Sequence, residues 1–168
     1  MIDPKLAFPF RLCGGPAHCR KLGIFGRYII NRNVEGTGFE ASIYPVSLFK
    51  RKMGEWDNTP VLIGHEGRSP LIGYARGFSW SEDLQGVVGL LYPASDVTAS
   101  DFMQRAIENT LSSQAVSGHY KVDAETFKHG GRWYKKVKDI DKLWSIDLVE
   151  VATAGGRLLS EVEYKLLT

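Results

Sequence analysis

The chain has 168 residues, a net charge of +2, and apolar and charged fractions of 43% and 24%. That length suits one domain with a proper core and is short for two. No apolar run approaches the roughly 18 residues that a membrane span needs, and the small net charge with scattered basic residues argues against a nucleic-acid neutraliser.

Residues 1 to 22 hold Pro4, Pro9, Pro16 and the pair Gly14-Gly15, so an irregular N-terminal arm is predicted, with the main domain at 23–168. Met1 to Arg20 has no apolar segment after a basic cluster, so no secretory leader is read and a cytoplasmic location is expected. Cys13, His18 and Cys19 could offer three soft ligands. Structural zinc takes four, and no second cluster exists, so free loop thiols and no metal are expected.

From Gly26 the text changes to short runs rich in Tyr, Ile and Phe between glycine-rich turns, predicting strands at Arg27 to Asn31 and Gly38 to Ile43. After a loop from Lys50 to Thr59, Pro60 to His65 reads as an apolar strand ending at a histidine. Leu71 to Ser79 and Gly86 to Leu91 follow as two more strands. A linear series at this spacing predicts a barrel or sandwich rather than alternating β-α units. A helix is predicted from about Ser100 to Leu111, where Phe102, Met103, Ala106 and Ile107 form one stripe and Asp101 sits in the first turn.

Gln114 to Val122 alternates, with Val116, Gly118, Tyr120 and Val122 on one face and Ser117 and His119 on the less apolar one. A turn at His129-Gly-Gly131 separates it from Trp133 to Val137, and the cluster Lys135, Lys136, Lys138 reads as solvated hairpin. The last strong strand, Leu143 to Thr153, places Glu150 with Trp144, Ile146, Leu148 and Ala152 on the inward face, and Asp147 with Ser145 on the other. A short amphipathic tail follows.

A nucleophilic hydrolase needs a hydroxyl or thiol near a base, a group to orient that base, and oxyanion donors. His18 and His129 lie in loose segments, which leaves His65, projecting from a rigid strand end, and His119. Ser117 is mid-strand beside Gly118, where a substrate could approach the backbone. Each also has a plain structural reading: His65 as a hydrogen-bonded strand-end residue, Ser117 as a small residue on a half-buried face. Glu150 needs a partner on an apolar face, either a histidine or a basic residue such as Arg27 or Arg76, and Asp147 competes with it.

Three motifs then occur in a known order. Pro60-Val-Leu-Ile-Gly-His65-Glu66 followed by Pro70-Leu-Ile-Gly73, the segment Leu111-Ser-Ser-Gln-Ala-Val-Ser117-Gly-His-Tyr120 after a helix, and Leu148-Val-Glu150-Val-Ala-Thr153 resemble the tailed-phage prohead (head-maturation) serine proteases. The resemblance spans about residues 26 to 156. It implies a mainly β fold with helical additions (α+β), an antiparallel barrel flanked by helices as in herpesvirus assemblin. It also implies a serine endopeptidase without cofactor that cleaves scaffold and major capsid proteins inside the procapsid in the host cytoplasm. His65 would be the base, Ser117 the nucleophile and Glu150 the orienting acid, with no nucleic-acid or membrane partner and a homo-oligomer left open. The sequence departs from the family pattern: Gly64-His65-Glu66 replaces Asn-His-Asp, Ala152 stands for a serine, and Ala154-Gly-Gly-Arg157 for Pro-Ala-Asn. Ser112 and Ser113 are alternative nucleophiles. The competing expectation is a catalytically inactive capsid, tail or baseplate component of the particle. In that reading the aromatics of the arm Leu6-Ala-Phe-Pro-Phe-Arg11 dock onto a neighbouring subunit.

Overall fold

The computed structural model describes residues 7–32, 37–63, 71–94, 101, 115–149, 151–160 and 163. The strands are β1 (Phe8–Gly14), β2 (Ala17–His18), β3 (Arg27–Arg32), β4 (Phe39–Pro45), β5 (Thr59–Ile63), β6 (Leu71–Ser81), β7 (Gly86–Pro93), β8 (Ala115–His129), β9 (Arg132–Val149) and β10 (Arg157–Leu158), with one helix, α1 (Val46–Lys52). The expected mainly β fold is present. Seven strands close a barrel in the order β9, β5, β6, β7, β1, β10, β8 and back to β9, while β4, β3 and β2 extend from the first half of β9; the barrel is not wholly antiparallel as expected, because β5 and β9 pair in parallel. The described helical structure is α1 with short 3-10 turns, and the predicted helix at 100–111 lies outside the described residues apart from Asp101. Among the described residues no helix is long and apolar enough to cross a membrane.

The predicted arm is the first correction. Phe8 to Gly14 forms β1, an interior barrel strand between β7 and β10, in which Phe8, Phe10 and Leu12 alternate into the core. Pro9 is tolerated because its missing N–H is not required, while its carbonyl accepts the Leu159 N–H at 3.0 Å. Cys13 and Cys19 are free but buried, contrary to a loose-loop reading, and desolvation pushes the Cys13 thiol up to about 12.

The expected loop after Lys50 is also partly helical. α1 begins at Val46 and buries Val46, Leu48 and Phe49 against the barrel. Phe49 lies 5.6 Å from Tyr44, 6.2 Å from Trp56 and 6.2 Å from Tyr120 between ring centroids, so aromatic rings close this end of the core.

The two runs predicted separately at Trp133 to Val137 and from Leu143 onward form one strand. β8 and β9 make a single long hairpin, paired from Ala115–Val149 to His129–Arg132 around a Gly130-Gly131 turn in which both glycines take positive φ. Ile140, amid the charged stretch Lys138 to Lys142, is fully buried. Three register shifts in β8 and β9 let the pattern change face without ending the pairing.

Candidate active site

On β8, Val116 is buried in the barrel, Tyr120 and Val122 pack against its core, Ser117 is half-buried and His119 exposed, as the alternation predicts. The reason suggested for Gly118 does not hold. A Cβ there would lie 2.4 Å from the Tyr120 ring, so the glycine makes room for an interior aromatic rather than for a substrate.

On β9, Ile146 and Leu148 are fully buried, whereas Trp144, expected beside them, is 46% exposed. The register shift between His119 and Tyr120 accounts for this. Gly118 pairs with Ile146 and His119 with Ser145, but Tyr120 pairs with Leu143, so Trp144 is the extra residue of a bulge and turns outward. Its indole is covered by Lys142, with Nζ 4.2 Å from the ring centroid.

The face that carries Ser117 holds a buried polar pair. Ser145 and Asp147 are 4% and 1% exposed, and the Ser145 hydroxyl donates to Asp147 Oδ1 at 2.9 Å; Asp147 makes a further interaction besides. The ladder puts Ser117 directly across from Asp147, and His119 across from Ser145. Directly opposed residues share a face with Cβ atoms about 4.5–5.5 Å apart. On its other side β9 pairs in parallel with β5, where Leu62 opposes Asp147 and Ile63 opposes Leu148. β5, whose last residue precedes His65 by two positions in the sequence, and β8, which carries Ser117, therefore flank the same aspartate. His65, Glu150, Ser112 and Ser113 lie outside the described residues. Of the basic residues considered for Glu150, Arg27 contacts Gln85 and Glu82, and Arg76 contacts Asn58.

One same-face step from Ser117 along β8 is Ala115, which pairs with Arg157 of β10. The Arg157 guanidinium donates to Glu163 at 2.8 Å, and this contact holds the Glu163 carboxyl down to about 2. The Glu163 amide in turn binds Ser160 Oγ at 3.2 Å while the Glu163 carboxylate accepts from the Ser160 amide at 3.2 Å, the reciprocal bonding of a capping box. Ser160-Glu-Val-Glu163 is the sequence signal that could have located this cation and its partner. Gly156 seals the junction: a Cβ there would be 1.9 Å from the Val116 carbonyl, and Val116 N–H donates to Gly156 O at 3.0 Å.

The described residues bring together no group of three metal-ligating side chains. What they assemble is a hydroxyl opposite a buried carboxylate, an arrangement that acyl-transfer chemistry can use when a base stands between or beside them. Comparison with protein-family profiles, curated proteins and solved structures finds no match to this chain.

Proposed function

We propose that the chain is a serine endopeptidase of the prohead-protease kind, with an assemblin-like barrel and flanking helices, acting on scaffold and major capsid precursors during phage head assembly. The observation that carries this reading is the placement of Asp147 between β8, which carries Ser117, and β5, whose last residue precedes His65 by two positions in the sequence. In this mechanism Ser117 Oγ attacks the peptide carbonyl, His65 takes its proton and returns it to the leaving amine, and water releases the acyl group. A buried carboxylate fixes the tautomer of the base. Asp147 is assigned that role because it is buried and shares a face with Ser117.

The inactive-component alternative rests on the altered residues around His65 and on exposed aromatics in the arm. Phe8 and Phe10 are 8% and 0% exposed, so they are barrel core and offer no docking surface. The decisive test is incubation of the purified chain with a fluorophosphonate probe and with capsid precursor. Labelling and cleavage that both vanish in Ser117→Ala support the peptidase, and cleavage that persists in that variant overturns it.

A further inference from the structure

A groove lies on the extension sheet, separated from Ser117 and Asp147 by most of the length of β9. It encloses about 540 Å³ between the 3-10 turn Arg20–Leu22 and the face formed by β3, β4 and the start of β9. Its floor is apolar: Leu22, Ile30, Ile43 and Tyr134 line it, and they pack with Cys19 and Tyr28 into a small satellite core. Its rim is basic. Arg20, Lys21, Arg32 and Arg132 surround it with Glu40 as the opposing carboxylate, and Glu40 is held by Arg132 at 2.8 Å. Arg20, Lys21 and Arg32 are exposed, so the positive charge stands where a ligand would enter.

We propose that this groove docks an acidic peptide segment bearing aliphatic side chains, contributed by a partner protein. Charge complementarity selects an anionic occupant, and the floor selects its side chains. A single-stranded nucleic acid would need ring faces for base stacking. Tyr134 is the one Phe, Tyr or Trp ring among the residues that line the groove, and one of its faces is already stacked on Phe127 at 5.3 Å and 15°. The aliphatic floor instead fits Leu or Ile side chains, with flanking carboxylates reaching the rim. A docking point so far from the candidate cleavage site would hold a partner without occupying the residues that act on it.

The proposal does not depend on the peptidase reading, and its test does not use activity. Fluorescence anisotropy of the full chain would be read with a short fluorescein-labelled peptide of Glu-Asp-Leu repeats, the same peptide with every Leu replaced by Ser, and oligo-dT. Saturable binding of the Leu peptide is expected, weakened about tenfold by the surface double variant Lys21→Glu/Arg32→Glu and by a similar factor in the Ser peptide. Circular dichroism of the variant establishes that it is folded. Absence of saturable binding, binding indifferent to the charge reversal, or oligo-dT bound as tightly as the Leu peptide would each overturn it.

Discussion

Asp147 and Ser117 oppose one another across the β8–β9 ladder, the aspartate 1% exposed and accepting the Ser145 hydroxyl at 2.9 Å, the serine half-buried on the same face. A carboxylate kept from water beside a candidate nucleophile has a use if it orients the base that deprotonates that nucleophile. Asp147→Asn keeps the volume and an oxygen to accept from Ser145, so the fold should persist. On the proposed mechanism the rate of precursor cleavage should fall by about 10³–10⁴-fold, the scale seen when a triad carboxylate is neutralised. Glu150→Gln in the same single-turnover assay should change the rate only a few-fold. The reverse ranking would return the orienting role to Glu150.

Gly156→Ala should disturb the same region from the other side. The added methyl cannot share space with the Val116 carbonyl at 1.9 Å and the Leu12 carbonyl at 2.6 Å, so β10 must lift away from β8. Because Val116 immediately precedes Ser117, the variant should melt several degrees lower and lose activity together with stability. Differential scanning calorimetry beside the cleavage assay checks both; a variant with unchanged melting would refute the close approach.

Much of this architecture was legible because strand signals are local. Arg27 to Asn31 and Leu71 to Ser79 declare themselves through β-branched and aromatic residues between turn formers, and the faces of Val116 and Ser117 follow from alternation alone. What local reading could not supply was a change of register. The bulge that turns Trp144 outward depends on how β9 meets Tyr120, a pairing no period-two pattern encodes. β1 was hidden for a similar reason. Pro9 argues against a central strand unless one knows that its neighbours do not require that N–H, and the Phe8, Phe10, Leu12 alternation was the overlooked counter-signal. The Ser117–Asp147 opposition was half visible: Asp147 was placed opposite the inward face of its strand, but the partner strands that bracket it are a matter of topology.

The Arg157–Glu163 ion pair gives the tail a defined response to acid. Arg157 lowers the Glu163 carboxyl to about 2, below its ordinary value of 4.5, so the pair adds stability at pH values above about 4.5 and loses it as pH falls toward 2. Glu163→Gln retains a capping-box side chain at the same position and so isolates the charge. The melting temperature of the native chain should exceed that of the variant by a constant margin from pH 7 to about pH 5, and the two should converge near pH 2. A margin that persists undiminished at pH 2 would mean the carboxylate contributes through packing.

Phe49 and Trp144 offer a paired test of the core and the bulge. Phe49 is 1% exposed and meets Tyr44, Trp56 and Tyr120, so Phe49→Ala removes a buried ring from a closed aromatic cluster and should cost about 3–5 kcal/mol in urea denaturation. Trp144 is the larger side chain, and unbroken alternation would give its removal a similar cost. Turned outward by the bulge and 46% exposed, it carries a contact with Lys142 worth about 0.5–1 kcal/mol at an exposed site. Trp144→Ala should therefore shift the denaturation midpoint only slightly. A loss as large as that of Phe49→Ala would place the indole in the barrel and erase the bulge between His119 and Tyr120, and with it the register that sets Ser117 opposite Asp147.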